Sequence, residues 1–143
     1  MHLSAYTNYT LRTRDAAEQP FTGYGLTVTA DDLARLGLAL ARGEFRNHLD
    51  EDMYDQALRP AIARPKHAPD LHTGYQHGFW SIDAGPWLGC DQYTPFVFLS
   101  GYGGINLAMF PGEIVYYMVS DGGDFNLEEP ARAAHSLKPF CTG

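Results

Sequence analysis

The run Phe96-Val97-Phe98-Leu99-Ser100, Gly101-Tyr102-Gly103-Gly104, Ile105-Asn106-Leu107-Ala108-Met109-Phe110, Pro111-Gly112, Ile114-Val115-Tyr116-Tyr117-Met118-Val119-Ser120 decides the fold class. Three apolar, aromatic and β-branched segments are separated by glycine and proline turns. This pattern predicts an antiparallel meander with strands at 96–100, 105–110 and 114–120. In the second segment Ile105, Leu107 and Met109 face one way, and Asn106, Ala108 and Phe110 the other. The third is apolar nearly throughout and is expected to be a central strand, buried on both faces.

Beyond the meander, Asn126 to about Leu137 is expected to close the chain as a helix. Asn126 is its N-cap, Glu128 and Glu129 lie in its first turn, and Pro130 comes early enough to be tolerated. Upstream, Gly78-Phe79-Trp80-Ser81-Ile82-Asp83 predicts a short strand, followed by a Gly/Pro/Cys loop at 84–95. Residues 61–76 are expected to be a loop bearing Pro and His. Met53, Tyr54, Ala57 and Leu58 share one face of a predicted helix over 51–58 that Pro60 ends. The clearest helix is predicted over 30–42: Thr29 caps it, Asp31 and Asp32 favour its positive end, and Leu33, Leu36, Gly37 and Leu40 recur at helical spacing before Gly43 stops it. Residues 1–20 show neither a strand nor a helix period and are expected to be an irregular N-terminal segment, with residues 21–143 as the globular part. An irregular stretch of that length suggests that a natural N-terminal partner segment lies elsewhere.

The composition supports an α+β domain with a real core: 143 residues, 45% hydrophobic and 13% aromatic. A net charge of −7, with basic residues scattered from Arg12 to Arg59, argues against a nucleic-acid partner. No stretch approaches the roughly 20 apolar residues of a membrane span. The first residues lack the pattern of a secretory signal, which leaves localisation open. Cys90 and Cys141 form no redox or zinc motif; two free thiols are the first expectation and a bridge between them the alternative.

Three landmarks carry a resemblance. Gly25-Leu26-Thr27-Val28-Thr29-Ala30-Asp31-Asp32-Leu33-Ala34-Arg35-Leu36-Gly37 is similar to G-G-L-x-S-T-A-x-D-L-A-R-F. Tyr75-Gln76-His77-Gly78-Phe79-Trp80 is similar to Y-G-Y-G-W. Leu99-Ser100-Gly101-Tyr102-Gly103-Gly104-Ile105-Asn106-Leu107-Ala108-Met109-Phe110-Pro111 is similar to a Lys/His-Thr/Ser-Gly strand with its glycine turn and the following proline-ended strand. From residue 21 onward the chain thus resembles the C-terminal portion of the serine hydrolases related to class C β-lactamases, penicillin-binding proteins and carboxylesterases. The resemblance implies an antiparallel sheet flanked by helices and a small ester, amide or β-lactam-like substrate, and no cofactor is expected. It puts Ser100 and Gly101 in the substrate-cleft wall, Tyr102 as the backbone donor of an oxyanion hole, and Gly103 and Gly104 in the cleft turn. Leu99 stands where the family carries a cation or imidazole, which tilts the implied chemistry toward esters and amides.

The nucleophile is missing. The family activates serine with a lysine one helical turn away, as Ser-x-x-Lys. Here Ser4, Ser81, Ser100, Ser120 and Ser136 are followed at that spacing by Thr7, Ala84, Gly103, Gly123 and Pro139. Tyr6-Thr7-Asn8 matches Tyr-x-Asn but lies at the wrong place in the order. Ser100 sits in no Gly-x-Ser-x-Gly elbow, which disfavours a triad with His77. Gly101-x-Gly103-Gly104 lacks the third glycine and the helix of a nucleotide loop. His67, Asp70, His72 and His77 are expected to be solvated loop residues rather than zinc ligands, and Asp121-Gly122-Gly123-Asp124-Phe125-Asn126 a turn and helix cap rather than a calcium loop. The chain is therefore expected to be inactive alone: a hydrolase fragment or, alternatively, a non-catalytic ligand- or partner-binding module. If the family's last strand lacks its N-terminal neighbour, residues 114–120 present an apolar edge and self-association follows.

Overall fold

The computed structural model describes residues 9–10, 14–19, 26–60, 73–101, 104–120, 122–123 and 126–141. They fall in two compact units, Met1–Leu36 and Gly37–Gly143. In the first, β1 (Tyr9–Thr10) pairs antiparallel with β2 (Leu26–Thr27), so a short strand lies within the segment expected to be irregular. Helix α1 (Ala30–Ala41) begins where the sequence predicts. The Thr29 hydroxyl accepts from the Asp32 N–H at 3.1 Å and donates to the Asp32 carboxylate at 2.9 Å, closing the expected cap.

In the second unit, α2 (Glu51–Leu58) matches its predicted bounds, with the Asp50 carboxylate accepting from the Met53 N–H at 2.8 Å. Tyr54 and Ala57 are buried, whereas Met53, expected on the same face, is exposed. The strand β3 (Thr73–Gln76) corrects the expected loop over 61–76, of which 61–72 lie outside the described residues. A two-residue turn leads into β4 (Phe79–Asp83), with Gln76 paired to Phe79. His77 and Gly78 both have positive φ, 49° and 88°, which identifies a type I′ hairpin turn whose twist matches that of the strands. Strand alternation alone hid β3: Thr73-Gly74-Tyr75-Gln76 offers one large apolar side chain and is held mainly by its ladder to β4.

The loop expected over 84–95 is also corrected, since Gly85–Leu88 forms the short helix α3 and β5 starts at Pro95. Strands β5 (Pro95–Gly101), β6 (Ile105–Phe110) and β7 (Ile114–Val119) form the predicted meander, and α4 (Glu128–Leu137) ends the fold. The Asn126 side chain accepts from the Glu128 and Glu129 N–H groups, as expected of a cap. The architecture is α+β: an antiparallel five-stranded sheet in the order β3-β4-β5-β6-β7, with helices.

That order overturns one expectation. Strand β7 is an edge, not a central strand, and Tyr117 and Val119 are exposed. Apolarity misled because each face of β7 is half covered: Ile114 and Tyr116 pack against the α4 side, while Val115 meets the end of α1 that starts at Gly37. The main core lies between α4 and one sheet face, where Ile82, Phe96, Phe98, Ala108 and Phe110 meet Leu127, Ala131 and Ala134. Small residues on α4 let it approach the Phe96–Phe110 pair, whose rings are 4.6 Å apart. No helix among the described residues is long and apolar enough to cross a membrane.

Candidate functional site

The end of β5 carries the two cleft-wall candidates at its last positions. Ser100 and Gly101 are exposed, and Ser100 alternates onto the face that Phe96 and Phe98 share, with Leu99 on the opposite face. Tyr102 and Gly103, expected as oxyanion donor and turn, lie outside the described residues. Gly104 closes a turn: its carbonyl accepts from the Ser120 N–H at 3.2 Å.

On the Ser100 face the sheet is wider than its helical cover, and a cavity of about 660 Å³ opens beside α4. Thr73, Trp80, Ile82, Phe98 and Ser100 line it from the sheet, Trp87 from α3, and Asn126, Leu127 and Glu128 from the start of α4. Trp80 and Phe98 are directly opposed across β4 and β5, with stacked rings 6.4 Å apart, and Tyr75 tilts against Trp80 at 4.7 Å. Concave, mainly apolar walls with a few polar groups at the edge are the usual form of a small-molecule site.

Trp87 is positioned by a locally closed loop. The Asp83 carboxylate accepts from the Gly85 and Thr94 N–H groups, both at 2.9 Å, and the Ala84 N–H donates to the Thr94 carbonyl. A bond between Cys90 and Cys141, with Cα atoms 6.1 Å apart, ties this loop to the end of the chain after α4. The first expectation of free thiols is thereby corrected, because antiparallel pairing and the return of α4 bring together residues 51 apart in sequence. In the same loop, burial raises the Tyr93 phenol above its ordinary range, and the Asp83 charge adds to the shift.

Directly opposite Ser100 on β6 stands Asn106. It is 1% exposed, and neither Oδ1 nor Nδ2 has a hydrogen-bond partner among the described residues. An unpaired buried polar group of this kind costs on the order of 1–3 kcal/mol. The sequence held the signal, a polar residue alternating with Ala108 and Phe110 on the inward face. What it lacked was the register that sets Asn106 beside Ser100.

His77 sits in the β3–β4 turn, where its Nε2 lies 3.3 Å from Gln56 Oε1, so its ring engages α2 rather than Ser100. His67, Asp70 and His72 lie outside the described residues, among which no three His, Cys, Asp or Glu side chains gather as metal ligands. A second concavity, of about 690 Å³, has Arg42, Arg46 and Arg59 at its rim. Its charge is largely offset: Arg42 pairs with Glu113 at 2.8 Å, and Arg46 with Asp55. The hydrogen bond and the charge of Glu113 raise the pKa of Arg42. Comparison of the chain with family profiles, curated proteins and solved structures finds no match.

Proposed function

We propose that this chain supplies the substrate-binding wall of a β-lactamase-like serine-hydrolase cleft and does not carry the nucleophile. The cavity beside Ser100 carries this reading. It takes a small, uncharged compound with an aromatic or bulky apolar group, of the ester, amide or β-lactam class, against Trp80, Trp87 and Phe98. Charge is a poor fit, because Glu128 is the only ionisable residue among the described lining and is already engaged by Arg132 at 2.8 Å. Leu99 likewise offers no cation for a carboxylate.

Ser100 alone is a weak nucleophile, and no described residue stands within hydrogen-bond reach as its base. The expected outcome is that p-nitrophenyl acetate and a chromogenic cephalosporin are turned over no faster by the wild-type chain than by Ser100→Ala. Turnover that the substitution abolishes would overturn the reading.

The partner half of the reading rests on β7. Its six residues carry no charge, proline or bulge to discourage edge pairing, and beside it a groove of about 500 Å³ runs along α4. A strand from a complementary N-terminal half, or a second copy, completes the sheet there. Light scattering at high concentration is expected to detect association that Tyr117→Lys weakens. A monodisperse monomer insensitive to that change contradicts this half alone.

A further inference from the structure

Asn106 is among the largest fully buried side chains of the described residues, and both of its polar atoms are unpaired there. Such a group is normally satisfied or replaced by an apolar residue, so its presence calls for a use. Register supplies one. Asn106 is directly opposed to Ser100, so their side chains leave the same face of the sheet with Cβ atoms about 5 Å apart. Ser100 and its face neighbour Phe98 both line the aromatic cavity.

A carboxamide presents a carbonyl acceptor and an N–H donor side by side. Its complement is a group whose C=O and N–H also lie on the same side. Primary carboxamides and N–H lactams have that edge. Esters lack the donor, and trans secondary amides point it the opposite way. The Ser100 hydroxyl is placed to donate to the same carbonyl. We infer that the cavity selects an aryl-bearing primary carboxamide or N–H lactam, with Asn106 reading its polar edge and the aromatic wall its ring. The inference rests on the cavity being the binding cleft.

Trp80 and Trp87 are the two tryptophans of the chain, and both line the cavity, so intrinsic fluorescence reports on it. Titration with benzamide, N-methylbenzamide and methyl benzoate is expected to rank benzamide tightest by about tenfold, the effect of one hydrogen bond lost in a dry site. Asn106→Leu, similar in branching, should erase that preference while raising the thermal midpoint. Equal affinity for the three probes overturns the inference and leaves the cleft reading intact; saturation by none of them overturns both. If the leucine substitution prevents folding, the wild-type ranking decides alone.

Discussion

Reducing the Cys90–Cys141 bond is expected to lower stability by an amount set by chain topology. The bonded residues are 51 apart in sequence. The loop-closure relation for a ring of that size gives about 4 kcal/mol at 25 °C, through the entropy returned to the unfolded chain. For a protein of this length each kcal/mol moves the thermal midpoint by about 3 °C, so reduction should lower it by roughly 10 °C. The bond also holds the loop that carries Trp87 against the end of α4, so the reduced protein should lose part of the aromatic wall. Thiol titration in denaturant should find none before reduction and two after it, and circular-dichroism melts with and without reductant give the shift. A midpoint that reduction leaves unchanged, or two reactive thiols in unreduced protein, would refute the reasoning.

Close packing of α1 makes a second prediction. A Cβ at Gly37 would stand 2.6 Å from Val115 Cγ1 and 3.0 Å from Leu107 Cδ1, so Gly37→Ala should not gain the usual helix increment. It should instead destabilise by about 1–3 kcal/mol in urea titration, with relief when Val115→Ala is added. The Tyr54 hydroxyl donates to the Leu40 carbonyl at 2.6 Å, and Tyr54→Phe should cost about 1 kcal/mol at neutral pH. Burial raises the Tyr54 pKa, so above about pH 10 the unfolded chain ionises first and stability falls as pH rises. Tyr54→Phe should flatten that alkaline decline, and an unchanged slope would count against the burial account.

The elements with strong local signals were legible in the sequence: capped α1, α2 with its proline stop, the three-strand meander and α4. What escaped depends on partners distant along the chain. Strand β3 has little apolar character of its own and exists through pairing with β4. Strand β7 looks central because both its faces are apolar, yet its position at the edge follows from strand order, which no periodicity encodes. Helix α3 is four residues held by Asp83 and the Cys90–Cys141 bond, too short for a period to register. For the site, Ser100 and Gly101 were legible as a strand end. Their setting was not: Trp80, Trp87, Thr73 and Asn126 come from four segments, and the significance of Asn106 depends on its pairing with Ser100.

The central claim, a binding cleft beside Ser100, is tested most directly by titrating the wild-type chain and Ser100→Tyr with methyl benzoate while recording tryptophan emission. Ser100 is exposed at the cavity, so tyrosine there should occupy the space without disturbing the core. The account predicts a saturable change for wild type that is lost in the variant. A linear, non-saturating response of equal slope in both proteins would contradict it.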